Sequence, residues 1–203
     1  MPLSFDGAGT ITGLQVGGLP DGIVDTDMLA TSAVTVPKIG YNGAVLQVVQ
    51  TTKTDTTSTV STSYADISGM SRTITPVAAD SNILVMVMVS LGADGAIAAN
   101  GYVQILRGST DIFSGTAASR TSASVAMFAY GTGSGADLHY STLTEPITYL
   151  DDPTYTLGDE LTYKLQWATA ASNGTLYLNR SDADDSTSRP STVSSIILME
   201  VAG

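Results

Sequence analysis

Leu161-Thr162-Tyr163-Lys164-Leu165-Gln166-Trp167 is the stretch that decides the fold class. Its large apolar side chains fall at every second position with Thr, Lys and Gln between them. That is the alternation of a strand with one face in a core and the other toward water. A helix needs apolar residues three and four apart, and no window of a dozen residues after Gly43 carries such a stripe. Val193, Ser195, Ile197, Met199 and Val201 repeat the two-residue period near the end of the chain, so this set is expected to form the buried face of a further strand. Ile83-Leu84-Val85-Met86-Val87-Met88-Val89 differs, because both of its faces are apolar. A strand of that kind needs cover on both sides. The core is expected on one side and a neighbouring subunit on the other.

Outward from these runs, turn signals recur at Asn42-Gly43, Asp94-Gly95, Asn100-Gly101, Gly108-Ser109, Gly131 to Gly135, Gly158-Asp159 and Asn173-Gly174. Between them strands are expected at 44–52, 59–65, 70–76, 82–91, 101–107, 110–115, 121–130, 138–149, 160–169, 174–179 and 192–201. The spacing predicts an all-β fold, a jelly-roll-like antiparallel β-sandwich head over 44–203. Residues 1–43 precede it as an extended glycine-rich segment with glycines at 7, 9, 13, 17, 18 and 22, Pro20 and Pro37. The one helical element expected there is a turn at Thr26 to Ala33, capped by Asp25 or Thr26. Ordering a backbone residue costs roughly 1 to 2 kcal/mol. Contacts beyond its own sequence are therefore expected to hold this segment, a sign of a built assembly rather than a free enzyme.

Composition narrows the function classes. At 203 residues the chain fits one domain plus an appendage. Charged residues make up 13%, so hydroxyls and amides must cover much of the surface. The net charge of −11 repels phosphate backbones, and the eight basic residues are scattered, which argues against nucleic acid as a partner. With no cysteine, disulfides and thiolate metal sites are excluded. No basic segment followed by an apolar stretch opens the chain, and the longest apolar run has seven residues. Neither a secretion signal nor membrane insertion is expected.

Two patches carry a resemblance. Asp21-Gly22-Ile23-Val24-Asp25-Thr26-Asp27-Met28-Leu29-Ala30, continued by Ser32-Ala33-Val34-Thr35-Val36-Pro37-Lys38-Ile39, is similar to units common in tail fibres and other virion appendages of tailed bacteriophages. Val45-Leu46-Gln47-Val48-Val49, Lys53-Thr54-Asp55, Ile83-Leu84-Val85, Ile105-Leu106-Arg107-Gly108 and Ile196-Ile197-Leu198-Met199-Glu200 resemble β-sandwich heads of phage and prophage fibre proteins. The resemblance implies a structural virion protein, made in the host cytoplasm and carried on the particle. It implies a short homotrimeric fibre or spike, anchored to other virion proteins through residues 1–43, whose head is displayed toward host cell-surface polysaccharide. A capsid decoration (cement) protein is the first alternative, and a carbohydrate-binding module or glycan depolymerase the next.

Residues that invite a chemical role are few. Gly131-Thr132-Gly133-Ser134-Gly135 lacks the Lys and the helix start of a phosphate loop and is expected to be a hairpin loop. His139 is the single histidine and has no nucleophile elbow beside it. Glu145, Glu160 and Glu200 are the glutamates from which a glycosidase pair would have to draw. Asp151-Asp152 and Asp182, Asp184, Asp185 supply oxygens for Ca²⁺ but lack the spacing of an EF-hand, so turn acids are the favoured reading. No catalytic residue, cofactor or metal ligand is assigned, and the protein is expected not to be an enzyme. Trp167 belongs to the core by its period. Tyr140, Tyr177, Asp182, Asp184 and Asp185 are the candidate ligand-facing loop residues, by ring stacking and hydrogen bonding.

Overall fold

A computed structural model describes residues 4–5, 11–12, 42–94, 100–117, 119–128, 140–170, 174–182, 187 and 189–203. The chain divides into two compact units, Met1–Gly40 and Tyr41–Gly203. In the first, β1 (Ser4–Phe5) and β2 (Ile11–Thr12) pair antiparallel, Ser4 opposite Thr12. The turn expected at Thr26 to Ala33 lies outside the described residues.

The second unit opens with a turn at Asn42-Gly43, where Gly43 takes φ +88°. Its strands are β3 (Val45–Lys53), β4 (Thr57–Thr59), β5 (Ala65–Ile74), β6 (Asn82–Ala93), β7 (Asn100–Arg107), β8 (Thr110–Asp111), β9 (Val125–Phe128), β10 (Leu143–Asp151), β11 (Leu161–Thr169), β12 (Leu176–Leu178) and β13 (Ser194–Val201). No α-helix occurs among the described residues. The strands form two antiparallel sheets packed face to face.

In the larger sheet β10 lies along one edge of β6, and β13 and β12 share the other edge end to end; β3 and β4 lie beyond them. The smaller sheet runs β5, β11, β7, with β8 and β9 sharing the far edge of β7. Numbering the principal strands β3, β5, β6, β7, β9, β10, β11 and β13 from first to eighth, the sheet orders are 1-8-3-6 and 2-7-4-5. These orders are those of a jelly roll.

The alternation in Leu161 to Trp167 places Leu161, Tyr163, Leu165 and Trp167 in the core. From β6 come Ile83, Val85, Val87, Val89 and Leu91, and from β13 Ile196 and Leu198. Polar bonds close the sandwich along both sides. Next to β5, Gln47 Nε2 donates to the Thr75 carbonyl and Thr51 Oγ1 to that of Ser71. Next to β10, the buried Asp151 carboxylate accepts from the Tyr163 hydroxyl at 2.6 Å and from the Arg107 guanidinium, linking the sheets. Phe113 stacks on Tyr149 along the same side, their ring centroids 4.7 Å apart.

Four local expectations are corrected. The strand expected at 59–65 is broken over 60–64: β4 ends at Thr59, β5 starts at Ala65, and between them Ser61 turns the chain by accepting from Ser63 N through its hydroxyl. The strand expected at 110–115 shrinks to Thr110–Asp111, because Asp111 accepts from Phe113 N and bends the chain away. Asn100-Gly101 is no turn but lies in β7, where a Cβ on Gly101 would come within 2.8 Å of the Leu176 side chain. That glycine is a packing residue.

The fourth correction concerns β13, whose buried set is Ser194, Ile196, Leu198 and Glu200. The more apolar set, Ile197, Met199 and Val201, lies half-buried on the outer face with Ser195, and Val193 is exposed. Glu200 decides this register. Its carboxylate accepts from the amides of Val77 and Ala78, from the Ser81 hydroxyl and from Gln47 Nε2. The carboxylate thus fixes the β5–β6 connection from inside the fold.

Candidate functional site

The C-terminal end of β6 gathers the flagged residues that the structure describes. Tyr177 on β12 stands opposite Gly92, and Tyr140 precedes Leu143, which stands opposite Leu91. The two tyrosines thus flank β6 from its two edges. Gly92 points to the outer face, and a Cβ there would sit 2.2 Å from the Arg180 carbonyl oxygen. The Arg180–Ser181 backbone crosses the sheet at the one place where a missing side chain leaves room.

That crossing lays the Arg180 guanidinium over the Tyr177 ring, 4.2 Å from its centroid, while its Nη1 donates to the Asp182 carbonyl at 3.0 Å. Burial first, and then a hydrogen bond with Asp182, push the Tyr177 phenol above its ordinary pKa. Arg189 lies 3.8 Å over the Tyr140 ring, which keeps 41% of the residue's surface in solvent. Two arginines of one connection therefore hold two tyrosines by cation–π contacts. Tyr140, Tyr177 and Asp182 are brought to one end of the sandwich; Asp184, Asp185, His139 and Gly131 to Gly135 lie outside the described residues.

Beneath this platform sits Asn179, fully buried at φ +62°. Its Nδ2 donates to the carbonyls of Lys53 and Asp55 at 2.8 and 2.9 Å, and its Oδ1 accepts from Ser194 Oγ at 2.6 Å. Ser194 Oγ in turn accepts from Ser90 N, and the Ser90 hydroxyl meets those of Thr144 and Thr192. Asn179 fills the joint at which β12 gives way to β13 and β4 to β3. Asn179 therefore belongs to the interior, its amide taken up by the joint.

The acids are dispersed. Glu145 stands opposite Val89 and Glu200 opposite Ile83, six residues apart on β6 and so roughly 20 Å along the strand. Glycosidase carboxylates lie within about 10 Å. The Asp151 carboxylate is engaged by Arg107 and Tyr163, and Asp151 is a buried strand residue, not a turn acid. Trp167 is buried, as its period indicated. Among the described residues no three His, Cys, Asp or Glu side chains gather as metal ligands, and no helix is long and apolar enough to cross a membrane. The platform sets the partly exposed Tyr140 ring, Tyr177 and two arginines at one end of the head.

The two outer faces of the sandwich differ in chemistry. On the smaller sheet Lys164 pairs with Asp66 at 2.9 Å, Gln166 donates to Asp66 and Gln104 to Gln166, and the hydroxyls of Thr73 and Thr162 are bonded. The Asp66 carboxyl is held below its ordinary pKa by Gln166 and Lys164. On the larger sheet the outer rows read Leu150, Leu84, Met199, Val48, then Thr148, Met86, Ile197, Gln50, then Pro146, Met88, Ser195, Thr52. None of these residues is charged. Met88, Val48 and Leu150 are each 52–54% exposed.

Period alone could not have found this site. Asn179 and Glu200 did leave a signal, each a single polar residue ending or interrupting an apolar strand. Arg189 and Tyr140 stand 49 positions apart and left no local signal, while Arg180, three positions from Tyr177, meets its ring where the chain crosses over Gly92. No protein-family model matches the chain, and a search of curated proteins finds no similar one.

Proposed function

We propose that the chain is a structural protein of a tailed-bacteriophage virion, a short homotrimeric fibre or spike. Residues 1–43 attach it to other virion proteins, and the β-sandwich head is displayed outward for binding host cell-surface polysaccharide. The contrast between the outer faces carries this reading. One face completes its own polar network, and the other is an uncharged apolar sheet in a chain of net charge −11, the form expected of a module displayed in copies. The arginine–tyrosine platform at the end of the head supplies the ligand-facing surface. Affinity per head is expected to be low and to be raised by multiplicity.

Removal of residues 1–40 tests attachment: the head is expected to keep its cooperative melt and to vanish from particles. A truncated chain that aggregates would show that the segment belongs to the core. Labelling intact particles places the protein, and signal spread over the capsid lattice would replace the fibre with a decoration protein. Incubation with host envelope glycans is expected to give binding without new reducing ends. Their appearance would overturn the non-enzymatic reading and make Glu145, Glu160 and the Asp182 to Asp185 cluster the first residues to mutate.

A further inference from the structure

We infer that the groove between the β8–β9 connection and the outer face of the smaller sheet binds a carboxylate-bearing sugar, with the Arg120 guanidinium holding the carboxylate. The inference takes its ligand class from the host-polysaccharide reading. It adds a second site, one that shares no residue with the arginine–tyrosine platform.

The first observation is the groove itself. It encloses about 300 Å³, within the range of small-molecule sites. Gly115 N donates to the Ala123 carbonyl at 3.1 Å and closes the neck of the connection, and Arg120 N donates to the Ala117 carbonyl at 3.0 Å. Small side chains leave the space open. A Cβ on Gly115 would meet nothing nearer than the Ala123 carbonyl oxygen at 4.0 Å, and Ala126 is exposed on β9 opposite Tyr102. The walls are tied to the sheet: Ser124 N donates to the Val103 carbonyl, Ser124 Oγ accepts from Ile105 N, and the Tyr64 hydroxyl reaches across to the Ser122 carbonyl. The site is thus shaped before a ligand arrives, which lowers the cost of binding one.

The second observation is charge. No Asp or Glu occurs between Asp111 and Asp137, and Arg120 is the one charged residue that lines the groove. Lys53, Arg107 and Lys164 are in ion pairs, Arg180 and Arg189 lie over tyrosine rings, and the Nε of Arg72 is shut away from solvent. Arg120 is exposed, and among the described residues no acid or ring takes its guanidinium. In a chain of net charge −11 such a cation is where an anion is attracted rather than repelled. Its planar fork of donors matches the two oxygens of a carboxylate.

Hydroxyls and rings set a sugar behind that carboxylate. Thr116, Thr121 and Ser124 line the groove with hydroxyls. Tyr64 and Tyr102 flank it, the first bonded to Ser122 and the second opposite Ala126, and they stand near enough that Tyr102, after burial and Asp111, helps to push the Tyr64 phenol up. From the groove edge a polar row crosses the sheet through Gln104, Gln166 and Asp66. Tyrosine rings cover the apolar face of a pyranose, and hydroxyls and amides meet its polar edge.

Titration of the isotope-labelled full chain with glucuronic acid tests the site, with glucose and inorganic phosphate as comparison probes and backbone amide shifts as the readout. Glucuronic acid is expected to move the amides of Gly115, Arg120, Thr121 and Ser124 and to bind about tenfold more tightly than glucose. Arg120→Gln is expected to abolish that preference, and Arg120→Lys, which keeps the charge without the fork, to lose part of it. Arg120 is exposed, so neither change should disturb the fold. Equal binding of glucose, or an unaltered preference in Arg120→Gln, would overturn the role of the guanidinium. Phosphate that moves the same amides as tightly as glucuronic acid would overturn the sugar. Shifts confined to Tyr140 and Tyr177 would overturn this site and leave the platform as the glycan surface, whereas the polysaccharide reading itself falls if intact host envelope glycans leave every amide unmoved.

Discussion

Replacing Asn179 with Ala should be among the most damaging single changes to the head. The amide makes three hydrogen bonds in a fully buried joint, to the carbonyls of Lys53 and Asp55 and from the Ser194 hydroxyl. At about 1 kcal/mol each their loss sums to about 3 kcal/mol. An Ala at φ +62° adds about 1 kcal/mol, since Asn tolerates the left-handed region better than a residue with an apolar Cβ. The expected cost of about 4 kcal/mol corresponds to a fall of about 12 °C in Tm for a domain of this size. Asn179→Gly loses the same bonds without the backbone strain and should be about 0.5 kcal/mol milder, even though glycine adds entropy to the unfolded chain. Asn179→Asp keeps an acceptor for Ser194 but sets a carboxylate against two carbonyls, so it should exceed both. Denaturant melts of the four proteins at one chain concentration measure the series. An Ala variant within about 1 kcal/mol of the parent, or one more stable than the Gly variant, would refute the roles given to the amide and to φ.

Asp151→Asn removes the counter-ion of Arg107 and is expected to cost about 2 to 3 kcal/mol, whereas Tyr163→Phe, which leaves that ion pair in place, should cost about 1 to 1.5 kcal/mol. Gly92→Ala must push the Arg180 carbonyl off the sheet, so it should lift the crossing chain and Asp182 away from Tyr177; with the burial and the Asp182 hydrogen bond lost, the phenol's titration should fall toward its ordinary value, read by absorbance. Gly101→Ala meets the movable end of Leu176 and should cost about 1 to 3 kcal/mol without affecting Tyr177. Burial first, then the charge of Asp111, push the Tyr64 phenol up to about 12. The unfolded phenol ionises near 10, so this contribution is complete below pH 10 and is lost as pH rises toward 12. Tyr64→Phe should flatten part of the decline in denaturant midpoint over that interval.

The sequence by itself determined the class of fold and the residues that form its centre. Leu161, Tyr163, Leu165 and Trp167 alternate, and a two-residue period has one structural meaning when glycine turns bound it. The two-sided apolarity of Ile83 to Val89 was likewise legible, because it is a property of consecutive residues. What only the tertiary structure decided was register and long-range pairing. β13 offers two alternating sets, and composition favoured Ile197, Met199 and Val201 as the buried one. The Glu200 carboxylate tips the strand the other way, because its partners Gln47, Val77, Ala78 and Ser81 lie more than a hundred residues away in the chain. Asn179 is decided in the same manner, since it reads as the polar end of the strand expected at 174–179 until Lys53, Asp55 and Ser194 are brought around it. The stacking of Arg180 and Arg189 on Tyr177 and Tyr140 depends on a backbone crossing that only Gly92 permits. Local period is written in neighbouring residues, whereas a buried polar group takes its role from partners that the chain supplies only once it has folded.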